Sequence, residues 1–226
     1  MKLLIVSDTH GHLPTVNKVL ARKADVFIHC GDICPNWSWN WKDDGPRQLK
    51  WIEDKFIPWV KDLAIVHNLC VIGNHDGCGW PEYGMQLKAL GGDHIRFLFD
   101  QSITIGSTKF YGTPWTHCPP TLFDINQWAA GMSTDEKLGY AWNSIPDDTN
   151  VLISHSPPYG IMDQAKRFDG SMEHIGSQSL YEKVCNLKHL KLHCYGHNHT
   201  PQEIMDLYGI RFVNASEKNL LVEIPE

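Results

Sequence analysis

The stretch Leu3-Leu4-Ile5-Val6-Ser7-Asp8-Thr9-His10 decides how the rest of the chain is read. Its first four residues are a continuous apolar run, suited to a strand buried on both faces of a parallel sheet. The chain then turns polar. Asp8 and His10 lie two apart, so on an extended segment both side chains point the same way and can reach one ion. Working outward, the pattern recurs. Val26 to Ile28 leads into Gly31-Asp32, and a run ending in Cys70 to Ile72 leads into Gly73-Asn74-His75-Asp76. Val151 to Ile153 leads into Ser154-His155-Ser156-Pro157-Pro158, and Leu192 to Tyr195 into Gly196-His197-Asn198-His199. Ligands of open α/β sheets bind beyond the carboxyl ends of the strands. The chain therefore delivers candidate metal ligands to one sheet edge five times.

The intervening segments carry helical patterns. Thr15 to Arg22 places Val16, Val19 and Leu20 on one face. Pro46 to Val60 repeats Leu49, Ile52 and Phe56, and the proline suits a first helical turn. Ser177 is a candidate N-cap for a helix carrying Leu180 and Val184. Two later pairs of runs read as hairpins. Ile103 to Ile105 and Phe110 to Tyr111 flank Gly106-Ser107, while Ile204 to Leu207 and Ile210 to Val213 flank Tyr208-Gly209. The expected fold is α/β, with two mixed β-sheets and helices outside. With no repeat or linker, residues 1–226 read as a single domain.

Composition narrows the function. The chain has 226 residues, 42% hydrophobic and 20% charged, within the globular range. A net charge of −6 argues against a protein that grips long nucleic acid by its phosphates. Thirteen histidines are many for this length, and histidine is the commonest metal ligand near neutral pH. The seven cysteines cannot all pair and match no zinc ribbon, so reduced thiols and a cytoplasmic location are expected. Asp8 and His10 interrupt the opening apolar run before a signal peptide could form. No stretch approaches the ~20 apolar residues of a membrane span, so no membrane partner is expected.

Each polar turn taken singly has an ordinary explanation. Asp8-Thr9-His10 is also a helix-capping Asp beside a surface His, and Gly31-Asp32 is also a common turn. Their recurrence at successive strand ends is not ordinary, because it assembles two Asp, one Asn and four His.

In that order the turns resemble the calcineurin-like metallophosphoesterase superfamily, whose motifs run Asp-x-His, Gly-Asp, Gly-Asn-His, a later His, and Gly-His-x-His. Further stretches resemble the small-phosphodiesterase subgroup that includes the mammalian MPPED proteins. These are Phe27 to Asp32, Tyr111-Gly112-Thr113-Pro114-Trp115-Thr116, Leu152 to Pro158, and Phe212-Val213-Asn214-Ala215-Ser216. The resemblance implies a four-layer sandwich, two sheets face to face between helices. It implies that Asp8, His10, Asp32 and His199 hold one metal ion and that Asp32, Asn74, His155 and His197 hold a second, with Asp32 bridging. Nitrogen and oxygen ligands suit Mn, Fe, Ni or Zn. Two divalent ions, two aspartates and a bridging hydroxide sum to about +1, matched to an anionic ester.

The implied reaction is attack of the bridging hydroxide on phosphorus, with His75 as general acid and Asp76 orienting it. Asn74 and Trp115 are the candidate substrate contacts. The expected partner is a small phosphate ester, such as a cyclic nucleotide. The alternatives are a phosphomonoesterase or protein phosphatase, a nuclease of short oligonucleotides, and an inert metal-stabilised binding module. The protein-phosphatase branch follows Gly-Asp with an arginine, whereas Ile33-Cys34-Pro35-Asn36-Trp37 has none. Trp37, Trp39 and Trp41 alternate through the next loop, as a base-stacking surface or a hydrophobic plug. Arg167 and Gly170 to Gly176 are candidates for the rim.

Overall fold

A computed structural model describes residues 1–16, 18–38, 40–79, 82–117, 131–132, 134–167, 169–199 and 203–225. The first sheet contains β1 (Lys2–Val6), β2 (Val26–Cys30), β3 (His67–Val71) and β4 (Arg96–Phe97), all parallel. The second contains β5 (Gln101–Ile105), β6 (Thr108–Thr113), β9 (Val151–Ser154), β12 (Leu192–Tyr195), β13 (Ile204–Leu207) and β14 (Ile210–Asn214). Here β6, β9, β12 and β14 run parallel, while the two predicted hairpins add antiparallel edges. The last strand, β15 (Asn219–Glu223), returns to pair antiparallel with β1. Two short ladders complete the described strands: β7 (Thr116–His117) with β8 (Gly131–Met132), and β10 (Gln164–Lys166) with β11 (Met172–His174).

The period of two along each strand explains why the central runs are apolar throughout. Leu3, Ile5, Val26 and Ile28 face the second sheet and meet Phe110, Val151, Ile153, Leu192 and Val213. Leu4, Val6 and Phe27 point the other way, against Ile52, Phe56 and Val60. On the far side Leu152, Tyr195 and Phe212 face Leu138, Trp142, Leu180 and Val184. The two faces of each sheet thus join three apolar layers, and each fully buried Leu or Ile contributes about 1.5–3 kcal/mol relative to exposure. The four-layer α/β sandwich with two mixed sheets face to face is the observed architecture.

The helices differ in extent from the sequence reading. Among the described residues α1 is only Lys18–Ala21. The next helix opens earlier than predicted: α2 spans Trp41–Trp51, and the Asn40 side chain caps it by accepting the Lys42 amide hydrogen. Pro46 therefore lies inside the helix rather than in its first turn, where Asp43 and Asp44 complement the dipole instead. A π-helical segment, Ile52–Phe56, carries the chain into α3 (Ile57–Asp62). Helices α4 (Gly84–Gly91) and α5 (Asp135–Trp142) precede α6 (Gln178–Asn186), where Ser177 caps as predicted through Leu180 N. Among the described residues no helix is long and apolar enough to cross a membrane.

Candidate metal centre and active-site cleft

Backbone pairing continues past the ends of β1 and β2 and carries the first two motifs into register. Asp8 N donates to Gly31 O at 3.0 Å, His10 N to Asp32 O at 3.0 Å, and Gly11 N to Ile33 O at 2.9 Å. A buried histidine locks the two loops together. Gly31 N–H donates to His29 Nδ1 at 3.3 Å, and burial holds His29 neutral by pushing its pKa down to about 3. The proton is therefore assigned to Nε2, which donates to Thr9 Oγ1 at 3.1 Å, and the Thr9 hydroxyl donates to Ile33 O at 3.1 Å.

The site residues sit on strained backbone. Asp8, His10, Asp32 and His197 have φ of 54°, 45°, 54° and 67°, a left-handed region uncommon outside glycine, though Asp and His enter it more readily than other residues. Such conformations persist where the surroundings over-determine them, and they cluster at functional sites. Here the surroundings are backbone amides on the carboxylates. Asp8 accepts the His197 amide hydrogen at 3.0 Å, and Asp32 Oδ1 accepts that of His75 at 2.9 Å.

The motif glycines make room for these carboxylates. A Cβ on Gly73 would fall on the Asp32 carboxylate, and one on Gly196 would fall on Asp8 and Ser7. A Cβ on Gly31 would lie 2.6 Å from His155 Nδ1. Gly73→Ala is accordingly expected to keep the fold, displace Asp32 and lower turnover about 10²-fold, the scale of a 1 Å misplacement. Circular dichroism and metal content together check it: an Ala variant with normal metal content and activity would contradict this packing.

All seven predicted ligands come together, from strand ends in both sheets. Asp8, His10 and His199 present ligand atoms within 4.8 Å of one another, as do Asp8, Asp32 and His155. His199 Nε2 is 3.2 Å from Asp8 Oδ1. Asp32 Oδ2 lies between the two histidine sets, 3.8 Å from His10 Nε2 and 3.4 Å from His155 Nε2. Asn74 Oδ1 is 3.0 Å from His155 Nε2, and the His197 ring lies 5.1 Å from that of His155.

The carboxylates and imidazoles set one another's protonation. Burial alone would raise Asp8, but the His199 hydrogen bond and the His155 charge draw it down to about 2. Asp32 is likewise held well below the ordinary range against its burial, chiefly by the charges of His155 and His75. Burial works against a charge on His155 too, yet Asp32 beside it lifts the pKa to about 9. His199 is raised by its bond to Asp8, while burial and the His155 charge push His197 down to about 3. Two buried carboxylates thus need compensating cations at one point, which is what a metal site supplies. The donor set fits, since carboxylate and amide oxygens and imidazole nitrogens converge there. Beside them the buried Asn74 amide N–H has no partner among the described residues, so it is left to donate to a bound group.

Two predicted roles are corrected. Asp76 does not orient His75. It is fully buried, and its carboxylate accepts the amide hydrogens of Ile33, Cys34 and Gly73 at 2.8–2.9 Å, which pins the Asp32 loop to the Gly73 loop. Trp115 is not among the described residues that line the cleft. Its indole N–H donates to Asp100 Oδ2 at 2.7 Å, and its ring packs against the core. His75 does face the cleft: its side chain is 21% exposed, with Nε2 3.9 Å from Asp32 Oδ2. Arg167 is exposed and paired with Glu173 in the β10–β11 hairpin.

The cleft over the ligands has a volume of about 740 Å³. Trp37 and Trp51 line it with Pro35 and Asn36. Trp39 lies outside the described residues, and Trp41 begins α2. Sequence reasoning missed Trp51, which looks like one more apolar position of a helix. It also missed Asn198 and Asn214, which secure the last ligand loop. Asn198 Nδ2 donates to Met162 O at 2.6 Å, and Asn214 Nδ2 donates to Asn198 O at 2.8 Å.

Comparison with known proteins accords with this geometry. Residues 1–201 match the family model for calcineurin-like phosphoesterases. Metallophosphoesterase domain-containing protein 1 of Homo sapiens is 25% identical over 236 residues, covering 95% of this chain. The chain spans 65% of that protein's length. UPF0046 protein K07C11.7 of Caenorhabditis elegans is 28% identical over 231 residues, covering 97% of this chain and 70% of its own. Among solved structures, TT1561 of Thermus thermophilus shares the fold with a TM-score of 0.61 at 14% identity, over 94% of this chain and 88% of that one. With its five ligand-bearing turns assembled between two mixed sheets and the family model matched across residues 1–201, this chain belongs to the calcineurin-like phosphoesterase family.

Proposed function

We propose that this protein is a dinuclear metal-dependent phosphodiesterase acting on small diesters, cyclic nucleotides or compact relatives of them. The observation that carries the choice of diester is the lining of the cleft. Among its described residues there is no Lys or Arg, while Trp37, Trp51 and Pro35 supply apolar surface. A monoester approaches a dianion at neutral pH and needs extra cationic groups around its free oxygens. A diester bears one charge and brings a second substituent that apolar surface can cover.

Asp8, His10, Asp32 and His199 would hold one ion, and Asp32, Asn74, His155 and His197 the other. When bound, a pair of divalent transition ions (Mn, Fe, Ni or Zn) supplies Lewis acidity and a nucleophile at neutral pH. The remaining work falls to the chain. His155, fully buried, has Nδ1 bonded to Cys30 O at 2.8 Å, which assigns that nitrogen as donor and leaves Nε2 as the ligand atom. Asn74 Oδ1 is held toward the same point, and its buried amide N–H, without a partner among the described residues, is left to donate to a phosphate oxygen bound there. His75 projects its ring into the cleft beside Asp32, where it can deliver a proton to the departing alkoxide. The described cysteines are free thiols, which supports a reducing, cytoplasmic setting. Neither long nucleic acid nor membrane enters this reading.

Bis-p-nitrophenyl phosphate and p-nitrophenyl phosphate share a leaving group, so their kcat/KM values under one metal condition isolate the effect of ester type. The diester is expected to be favoured at least tenfold. A preference for the monoester would return a phosphomonoesterase to first place.

A further inference from the structure

We infer that Trp37 and Trp51 form an aromatic subsite that takes a planar aromatic substituent of the diester by stacking. The inference rests on the phosphodiesterase reading and specifies its substrate class.

Trp37 is 48% exposed and lines the cleft, so its indole offers apolar surface that a ligand in the cleft can cover. Its backbone is nonetheless held firmly. The buried carboxylate of Asp44, in the first turn of α2, accepts the amide hydrogens of Trp37 and Ser38 at 3.1 Å and the Ser38 hydroxyl at 2.9 Å. The turn that carries the indole is thus set before a ligand arrives, so no ordering of that turn opposes binding. Trp51 closes the same helix and lines the same cleft, braced by a stacked Phe56 at 6.4 Å between ring centroids and 26° between planes. The helix widens into its π-helical segment directly after Trp51. One helix therefore positions both aromatics, Trp37 through Asp44 at its start and Trp51 at its end.

A π-face accepts any flat ring, so the subsite selects planar aromatic groups without discriminating strongly among them. Nucleobases and synthetic aryl groups both qualify. The cleft volume of about 740 Å³ falls in the range of sites that enclose a molecule of nucleotide size.

Three diesters with the same p-nitrophenolate leaving group separate the contributions: methyl, phenyl and thymidine 5′-yl p-nitrophenyl phosphate. For the metal-reconstituted protein, kcat/KM is expected to favour the aromatic diesters over the methyl diester by about tenfold or more, carried in KM. In Trp37→Leu, which keeps apolar bulk but not the ring, that ratio should collapse toward one, and Trp37→Phe should restore part of it. A benefit confined to the thymidine ester supports the subsite and narrows it to nucleobases, and an equal benefit for phenyl supports it for any flat ring. A ratio near one in the wild type, or one that Trp37→Leu leaves unchanged, overturns the subsite while the phosphodiesterase reading stands. Calorimetric titration with AMP and with ribose 5-phosphate reads the subsite without turnover. AMP should bind about tenfold more tightly, and Trp37→Leu should remove the difference. If no diester is hydrolysed but that difference is present, the subsite stands and the diesterase reading falls. Equal affinities reject the subsite.

Discussion

Asp32→Asn is expected to lose most of its bound metal and about 10³-fold or more in kcat/KM, the scale of several kcal/mol of charge stabilisation at the reacting phosphate. The substitution is nearly isosteric. Asn can still accept the His75 amide hydrogen, which Asp32 Oδ1 takes at 2.9 Å, so the loop has no reason to unfold. What disappears is the charge between the two histidine sets, where Asp32 Oδ2 lies 3.4 Å from His155 Nε2 and 3.8 Å from His10 Nε2. His155 then loses the main influence that raises its pKa to about 9, and burial takes over. Metal content after dialysis, a thermal melt and turnover on bis-p-nitrophenyl phosphate check this. A variant that melts like the wild type, retains its metal and turns over normally would remove Asp32 from the centre of the site.

His75→Ala is the second large effect, and it should separate chemistry from binding. The variant should retain its metal, because the group that steadies Asp32 is the backbone N–H of residue 75, which alanine keeps. Turnover of diesters with poorly departing alkoxides should fall about 10²–10⁴-fold, the usual contribution of general acid catalysis. With p-nitrophenyl esters the fall should be much smaller, since p-nitrophenolate needs little protonation. The slope of log kcat against leaving-group pKa should therefore be steeper in the variant. Parallel slopes would assign the lost activity to positioning and take the acid role away from His75.

The two corrections show where sequence reasoning stops. Asp76 follows His75 directly, and adjacency suggested a partnership. The chain turns between them, and Asp76 points inward to amides of the Ile33–Cys34 turn, more than forty residues earlier in sequence. Trp115 lies in a turn that matches the subgroup, yet Asp100, from the turn before β5, takes its indole N–H. Among the described residues the cleft is lined instead by Trp51, whose position there follows from where α2 ends and from Phe56 stacked behind it.

Elements that depend on local pattern can be read from the residues alone. Strands buried on both faces are apolar at most positions, so β1, β2, β9 and β12 are legible as short, nearly continuous runs despite the buried His29 and His193. Strand ends carrying Asp, Asn and His marked the candidate ligands, because the carboxyl ends of strands in α/β folds are where ligands bind. The tertiary structure alone decided which groups meet across long separations. It brings His197 N to Asp8 and Asn74 to His155, and it sets the Gly73 loop against Asp32 closely enough that only a glycine fits. It also decided the left-handed backbone of Asp8, His10, Asp32 and His197. Asp and His only tolerate that conformation, and here hydrogen bonds to loops distant in sequence select it, which no local window contains.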